Sequence, residues 1–284
     1  MFGLAYRMLG SAEEAQDVVQ DAYLRFAGTE PGSIGHLGGW LAKVVTNLCL
    51  NRLTSARVRR EQYAGPWLPE PVLTAGGTLG PLESAEQRDS VSAALLVLLE
   101  RLTPTERAVY VLREAFAYGY REIAGVLDLG EANCRQLYRR ATARIGEPGA
   151  RFEPSERVRR ELAEAFVGAA REGDLAALEK VLTADVVWWS DGGGKVSAAR
   201  KPVGGRVKVL RFLAGIAERY LVGARLTVAE INGEPGIVAL LGGRLLAVVT
   251  FEVRGGLVMA AHTVLNPDKL EFADRQLAAA RQEF

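Results

Sequence analysis

A change of pattern at about Ser155 constrains the fold of this 284-residue chain more than any other feature. Before it, apolar residues recur at the three- and four-residue spacings of amphipathic helices. After it, two helices (156–172 and 174–182) lead into a series of strands with one further helix at 207–220. The expected strands lie at 185–190, 225–230, 236–241, 244–253 and 257–265. The sequence therefore predicts helical domains followed by an α+β domain, whose curved antiparallel sheet forms a cone enclosing a pocket.

A second break lies between Gly65 and Leu82, where four prolines and four glycines occur. Proline keeps the residue before it extended, so this stretch reads as an extended linker. Because 284 residues suffice for two or three domains, we divide the chain at these breaks. The expected parts are a helical domain at 1–65, a linker at 66–85, a second helical domain at 86–148, an α+β domain at 155–270 and a polar, Ala-rich helical or loose tail at 271–284.

The first helical domain carries a clear helix start. Ser11 and Glu14 form a capping box, in which the Ser11 hydroxyl accepts the backbone N–H of Glu14. The helix that follows is expected to bury one apolar face and to expose a polar one. The apolar face comprises Ala15, Val18, Val19, Ala22, Tyr23 and Phe26. A second helix is expected from Trp40 to about Arg60, with Lys43, Asn47, Asn51 and Thr54 along a polar stripe.

The second helical domain contains a helix-turn-helix. Thr103 is a helix cap with Pro104 at the first helical position. Helices at 120–127 and 131–145 follow, joined across a three-residue turn that contains Gly130. In such a motif the early residues of the second helix reach base edges, and later arginines contact phosphates. The alternative is a solvated basic helix with Leu137 and Ile145 in the core.

Local charge separates the helices, although the net charge is only +1. Residues 1–30 carry two basic and five acidic residues, 40–60 carry five basic and no acidic ones, and 131–145 carry four basic and one acidic. Blocks of one sign indicate the partners of a surface. Basic surface near an aromatic side chain such as Trp40 suits single-stranded bases, although an ordinary amphipathic helix explains it equally well. The acidic face of the first helix, taken alone, is explained by solvation.

Three segments together resemble regions two and four of a bacterial extracytoplasmic-function sigma factor, over roughly residues 1–148. They read AEEAQDVVQDAYLRF, WLAKVVTNLCLNRLTSARVRR and LTPTERAVYVLREAFAYGYREIAGVLDLGEANCRQLYRRATARI. More narrowly, WLPEP, DGGGK and NPDKL resemble the signatures of a sigma-J-type subgroup with a fused SnoaL-like domain of the nuclear-transport-factor-two (NTF2) fold. Relative to that family, the chain begins inside the first helix of region two.

The resemblance implies a role for each surface. Core RNA polymerase is expected to bind Asp17, Gln20, Asp21 and Arg25. The minus-ten promoter element is expected to contact His36, Trp40, Lys43, Asn47, Asn51 and Arg52. The minus-thirty-five element is expected to contact Glu131, Ala132, Asn133, Arg135, Gln136, Arg139 and Arg140. Contacts that regulate the sigma domains are expected at Trp67, Leu68, Pro69, Glu70 and Pro71, at Asp191, Gly192, Gly193, Gly194 and Lys195, and at Asn266, Pro267, Asp268, Lys269 and Leu270.

The α+β domain leaves more than one function open. The expectation is regulation in cis, by packing against the sigma domains through the linker motif and the turn at 266–270. One alternative is a one-component helix-turn-helix regulator whose pocket senses an unidentified small ligand. Another is a SnoaL-like enzyme fused to a DNA-binding module, with Asp191 or His262 as general base. Fold alone does not establish catalysis, so we do not expect an enzyme.

Few residues in the chain are suited to metal or redox chemistry. Cys49 and Cys134 lie in different expected domains, so a disulfide is not expected and a cytoplasmic location is. With two histidines (His36 and His262) far apart, neither a metal site nor a cofactor is expected. No apolar run approaches the roughly eighteen residues of a membrane span, and the start does not resemble a signal peptide.

Overall fold

The computed structural model describes residues 1–30, 32–61, 63–75, 91–146 and 155–282, which fall into two compact units. For residues 55–61 and 282, only the backbone is described. The boundary expected between the linker and the second helical domain, at 85–86, lies outside the described residues, as do the ends of that domain at 148 and of the tail at 283–284.

The first unit is helical. It contains α1 (Phe2–Leu9), α2 (Ala12–Ala27), α3 (Leu37–Glu61), α4 (Ala93–Leu99), α5 (Pro104–Glu114), α6 (Tyr120–Leu127) and α7 (Glu131–Ile145), except for the first two residues of α4. Both expected caps are present. The Ser11 hydroxyl accepts the Glu14 N–H at 3.1 Å, and Thr103 and Glu106 form a reciprocal capping box with Pro104 at the first position.

The helices of the two expected sigma regions pack within this one unit. Helix α1 packs on α2, α3 and α5, and α3 packs on α5 and α6. Two arginines are buried where α1 meets α5. The Arg107 Nε donates to the backbone oxygen of Arg7 at 3.0 Å, and its Nη1 lies 2.5 Å from the Glu100 carboxylate. These bonds engage Nε and Nη1 of a buried guanidinium and so offset part of the cost of its burial.

The α2 and α3 predictions need two corrections. Tyr23 and Phe26 are exposed, because the buried stripe of α2 consists of small residues such as Ala15 and Ala22, and the last turns of the helix extend past it. Helix α3 begins at Leu37 rather than Trp40, because His36 caps it. The His36 Nδ1 accepts the Gly39 N–H at 2.9 Å, which satisfies a backbone donor of the first turn.

The second unit is α+β and begins in the linker. It contains the segment Tyr63–Ala75 and every described residue from Ser155 onward. Its helices are α8 (Glu156–Glu172), α9 (Leu175–Val181), α10 (Arg206–Tyr220) and α11 (Pro267–Gln282). Its strands are β1 (Leu182–Asp191), β2 (Val203–Gly204), β3 (Arg225–Ile231), β4 (Glu234–Leu241), β5 (Arg244–Arg254) and β6 (Leu257–Val264).

The strand order is β2-β1-β6-β5-β4-β3, and the sheet is mixed. The expectation of an antiparallel sheet is wrong at one position, since β1 and β6 pair in parallel. The cause is connectivity, because β3 to β6 form a meander of hairpins that returns its last strand beside β1 in the same direction. Helix α8 packs on β3 and β4, and α10 packs on β1.

The core of this unit lies between those helices and one face of the sheet. Phe166 of α8 packs against Trp188 and Phe251, with ring centroids 5.8 and 5.4 Å apart. The expected domain end at Leu270 is wrong, because α11 continues to Gln282 and buries Phe272 and Ala273. Its packing on β5 makes the former tail part of the domain.

Candidate functional site

The acidic face of α2 is exposed but partly neutralised. Asp17, Gln20 and Arg25 are exposed, and Asp21 is half-buried. Arg52 of α3 reaches both carboxylates, with Nη1 3.3 Å from Asp17 and Nη2 2.9 Å from Asp21. Arg52, expected to contact DNA, therefore ties α3 to α2. Two carboxylates share one guanidinium, so Arg52 neutralises Asp17 and Asp21 only in part.

Exposed apolar side chains lie beside this acidic face. Tyr23 and Leu24 are 62% and 61% exposed, and Phe26 stands edge-on to Trp40 with ring centroids 6.2 Å apart. Adjacent exposed apolar residues on a helix are typical of a protein-binding surface. Periodicity missed them because it placed Tyr23 and Phe26 inside, although their position in the last turns of the helix was a usable signal.

The polar stripe of α3 contains most of the residues expected to contact the minus-ten element. Lys43, Asn47 and Asn51 follow one another at intervals of four, which places them on one side of the helix. His36 is exposed at the start, and Trp40 is half-buried. The Lys43 Nζ lies 2.5 Å from the Asp128 carboxylate in the turn of the helix-turn-helix. One cation of this stripe is therefore paired with an acid of the other region.

The helix-turn-helix presents its expected reading surface to solvent. Asp128 adopts a left-handed conformation in the turn (φ 54°). Five of the six residues from Glu131 to Gln136 are exposed, as are Arg139 and Arg140. The exception, Cys134, faces the core together with Ala141. The Arg135 guanidinium pairs with Glu131 and lies 5.4 Å from the centre of the Tyr120 ring. These contacts orient the cation before any DNA is present.

The three signature motifs meet around one buried carboxylate. Asp191, which is 0% exposed, accepts the Tyr63 hydroxyl at 2.6 Å and the Gly193 N–H at 3.1 Å through Oδ1. Its Oδ2 accepts the Leu68 N–H at 2.8 Å and the Lys269 ammonium at 2.7 Å. Asp191 thus joins the linker, the glycine turn and helix α11, and we call these five residues the Asp191 cluster.

Lys269 of this cluster is held on several sides. Its ammonium donates to the Leu68 carbonyl at 2.5 Å and lies 4.1 Å from the centre of the Trp67 ring and 4.6 Å from that of Tyr63. Aromatic faces attract a cation, and a buried cation needs such partners. Burial, and then the hydrogen bond to Asp191, raise the pKa of Tyr63. The phenol therefore remains a donor at neutral pH.

The glycines and the asparagine of the other two motifs have structural reasons. Gly193 has φ 59°, and a Cβ there would lie 2.3 Å from the Asn266 Nδ2, so only glycine fits. Asn266 caps α11, accepting the Asp268 N–H through Oδ1, and its Nδ2 donates to the Tyr63 oxygen at 2.9 Å. Pro267 occupies the first helical position, which suits its missing N–H. Lys195 pairs with Asp268 at the exposed end of the turn.

The remaining residues of the three signature motifs also belong to the second unit. Pro69 and Pro71 are buried, Glu70 is half-buried, and Leu270 is buried in α11. Gly192 also needs to be glycine, because a Cβ would lie 2.7 Å from Ala198. Gly194 adopts φ 73° against Ala64.

Neither candidate general base lies on the face of the sheet that packs on α8. In the β1–β6 register, Trp189 is opposite His262 and Asp191 is opposite Val264, whereas Trp188 points to the other face and packs on Phe166. The Asp191 carboxylate accepts two hydrogen bonds at each oxygen, all from groups of the cluster. Burial lowers the pKa of His262 to about 4.

Within the described ranges, no helix is long and apolar enough to cross a membrane. Among the same residues, no group of three or more His, Cys, Asp or Glu side chains is placed to hold a metal ion.

Comparison with known proteins identifies the family. Residues 1–59 match the family model of Sigma-70 region 2, and residues 92–145 match that of Sigma-70, region 4. Over 280 residues, 95% of this chain and 89% of the relative, the chain is 36% identical to the ECF RNA polymerase sigma factor SigJ of Mycobacterium tuberculosis. The chain belongs to the extracytoplasmic-function sigma factors.

Two further comparisons extend this result. A probable ECF sigma factor of M. tuberculosis, SigI, is 32% identical over 94% of this chain and 90% of its own. The crystal structure of M. tuberculosis SigJ superposes with a TM-score of 0.76 at 34% identity, covering 95% of this chain and 94% of that one. The sigma factor thus carries helical regions two and four and a C-terminal α+β domain, and it directs transcription.

The sequence did not predict three residues of this sigma factor that form hydrogen bonds in the attachment of the linker. Tyr63 lies just before the WLPEP motif and binds Asp191 directly. Asn232 and Gln276 bind the linker backbone further along. The aromatic residue at 63 was a usable signal, whereas Asn232 and Gln276 are ordinary turn and helix residues whose role depends on tertiary structure.

Proposed function

We propose that this sigma factor binds core RNA polymerase through the α2 face and promoter DNA through the α3 stripe and α7, and that its C-terminal domain regulates it in cis by holding the linker. For polymerase, the support is the acidic pair Asp17 and Asp21 beside exposed Tyr23 and Leu24. For DNA, it is the exposed row on α7 with Arg135, Arg139 and Arg140, which is suited to bases and phosphates. Promoter binding also implies a cytoplasmic location.

The observation that carries the regulatory part is the Asp191 cluster. A buried carboxylate that accepts from Tyr63 and Leu68 of the linker, and from Lys269 of α11, attaches the linker to the C-terminal domain. Along the chain, this linker connects region two to region four. Attachment therefore fixes part of the linker on the C-terminal domain, and release makes that part available to the connection between the two promoter-reading regions.

Run-off transcription with core polymerase tests the proposal. Wild type should initiate from its cognate promoter, and charge reversal at Asp17 and Asp21 should abolish capture of core polymerase. Substitution of Asp191 or Asp268 should change promoter output while leaving the affinity of region four for its DNA element unchanged. Unchanged transcription in both variants contradicts regulation through this cluster.

Salt dependence tests the DNA part separately. Contacts with several phosphates release counterions, so the affinity for promoter DNA should fall steeply as salt rises. Replacing Arg139 and Arg140 by Gln should reduce that slope by about two. A slope that is flat in the wild-type protein means that these arginines are only solvated.

A specific observation also supports a second function, binding of a small uncharged ligand on the face of the sheet that packs on α8. Trp188 Nε1, Ser190 Oγ and Thr263 Oγ1 are buried and have no hydrogen-bond partner among the described residues. Ser190 is opposite Thr263 in the β1–β6 register, and Trp188 shares their face. Buried donors of this kind need an acceptor, and the surrounding aromatic rings favour a mostly apolar ketone or alcohol.

The uncharged ketone 2-adamantanone is a suitable probe. It should raise the melting temperature of the wild-type protein by mass action, and Ser190→Ala with Thr263→Val should weaken that effect. Glu13→Gln serves as the matched control, because Glu13 belongs to the first unit and the sheet to the second. An equal shift in all three proteins contradicts a site at these groups.

A further inference from the structure

The linker makes a second attachment, at the edge of the sheet. Leu73 forms an antiparallel bridge with Ile231 at the end of β3. The Asn232 N–H donates to the Val72 carbonyl at 2.8 Å, and the Thr74 N–H donates to the Glu230 carbonyl at 3.2 Å. Residues 72–74 thus extend the sheet beyond its β3 edge, as a peptide does in strand addition.

Two side chains complete the pairing of this short segment. The Asn232 Oδ1 accepts the Val72 N–H at 3.1 Å. Gln276 of α11 accepts the Leu73 N–H and donates to the Leu73 carbonyl, both at 2.9 Å. Every backbone N–H of residues 72–74 is therefore bonded, two of them to side chains. Such pairing holds a strand that is too short to be stable by itself.

The site is built on rigid elements. Asn232 and Gly233 have φ 54° and 77°, the conformation of a two-residue hairpin turn that favours Asn followed by Gly. Asn232 is 1% exposed, so its side chain is fixed beneath the linker. The Gly233 N–H donates to the Thr74 hydroxyl at 2.9 Å, which adds a bond from the turn itself.

We infer that Asn232 and Gln276 form a second linker-binding site, separate from the Asp191 cluster, that sets where the linker leaves the C-terminal domain. The inference rests on the proposed function, since it assigns part of the same linker attachment. If this site opens while the Asp191 cluster stays closed, residues 69–75 are released from the C-terminal domain. Seven extended residues span at most about 25 Å, which corresponds to roughly seven base pairs. The site therefore restricts the spacing between promoter elements that the sigma factor accepts.

Hydrogen exchange of the full-length chain tests the attachment. Gln276→Met keeps the side-chain volume but removes both bonds to Leu73, and Asn232→Gly keeps the left-handed turn but removes the acceptor for Val72. Loss of three hydrogen bonds of ordinary strength should raise the equilibrium constant for local opening about a hundredfold. The Leu73 amide should therefore exchange about a hundredfold faster in the double variant. Either single variant should give part of this increase in exchange rate. The single variants therefore test the site even if the double variant does not fold.

Tyr63→Phe is the matched control, because it removes a linker bond at the Asp191 cluster. It should speed exchange at residues 63–68 and change the Leu73 amide by less than a few-fold. Unchanged Leu73 exchange in both single variants contradicts the site, and equal loss in Tyr63→Phe contradicts its separateness.

Run-off transcription on promoters whose spacer differs by one or two base pairs tests the consequence. The Gln276→Met and Asn232→Gly variants should transcribe from a wider range of spacers than wild type, with the preferred spacer retained. A range as narrow as that of wild type overturns the spacing role. Failure of the wild type to initiate at all would instead refute the proposed function.

Discussion

Replacing Asp191 by Asn perturbs the Asp191 cluster with little change of shape. The carboxylate accepts four hydrogen bonds, two at each oxygen. Asn supplies one oxygen and one NH₂ group, so one pair of donors must face another donor. If the NH₂ faces Leu68 and Lys269, it opposes a buried ammonium. If it faces Gly193, the Lys269 charge still has no counter-ion in the cluster.

The magnitude follows from the burial of Lys269. That residue is 7% exposed, and removing one partner of a buried ion pair costs about 3–5 kcal/mol. The Trp67 and Tyr63 rings offset a part of this, about 1 kcal/mol each at a desolvated site. We therefore expect Asp191→Asn to lower the free energy of unfolding of the C-terminal unit by about 1–3 kcal/mol.

A double-mutant cycle separates this charge effect from lost packing. Lys269→Met removes the cation but keeps most of its apolar stem, so Asp191→Asn should cost less in its presence than in wild type. The coupling should be about 1–3 kcal/mol. Urea unfolding measures it, with Trp40 replaced by Phe so that the remaining tryptophans all report on the second unit. Additive single effects, or a loss below about 0.5 kcal/mol for Asp191→Asn, would refute the argument.

Three further variants test other parts of the structure. Arg52→Ala removes two partly exposed ion pairs with α2, so it should destabilise the first unit by about 1 kcal/mol at most, and less in high salt. Thr103→Ala removes one side of a capping box and should lower the free energy of unfolding, measured in urea, by about 1 kcal/mol. An unchanged free energy would mean that α5 does not depend on its cap. His262 has a folded pKa of about 4 that lies below its usual value, so the stability it contributes is present at neutral pH and lost as pH falls from about 6.5 to 4. The loss should reach at most about 3 kcal/mol, because Glu252 at 3.6 Å opposes the shift, and it should disappear in His262→Gln.

The helices were predictable because their signals are local. The limits of α6 and α7 agree with the expected ones residue for residue, since a glycine turn and a strong apolar period mark both ends. Both limits of β1 and one limit of each of β3 to β6 were displaced by one to three residues, and β2, with two residues, was missed. Pairing across a sheet fixes strand ends, and a single chain segment does not contain that information.

The Asp191 cluster was predictable in part. The three signatures were identified by resemblance, but their shared partner was not, because tertiary structure decides which face of a strand holds each side chain. Asp191 and Trp188 are three residues apart and point to opposite faces of β1. Arg52 shows the same limit on a helix, because a basic residue on a polar stripe serves equally to bind DNA or a neighbouring helix.

Magnitudes also decide what holds regions two and four together in the first unit. The Lys43–Asp128 pair is exposed on both sides, 40% and 70%, so it contributes about 0–1 kcal/mol and is weakened by salt. Helix α1, in contrast, buries Tyr6, Met8 and Leu9, and each such side chain contributes about 1.5–3 kcal/mol when fully buried. Arg107 also donates a buried hydrogen bond to the backbone of α1, and this bond would be lost if α1 and α5 separated. The buried hydrogen bond of Arg107 thus holds α1 and α5 more strongly than the exposed ion pair holds α3 to the turn, and the Lys43 side chain is the part that promoter DNA can recruit at little cost.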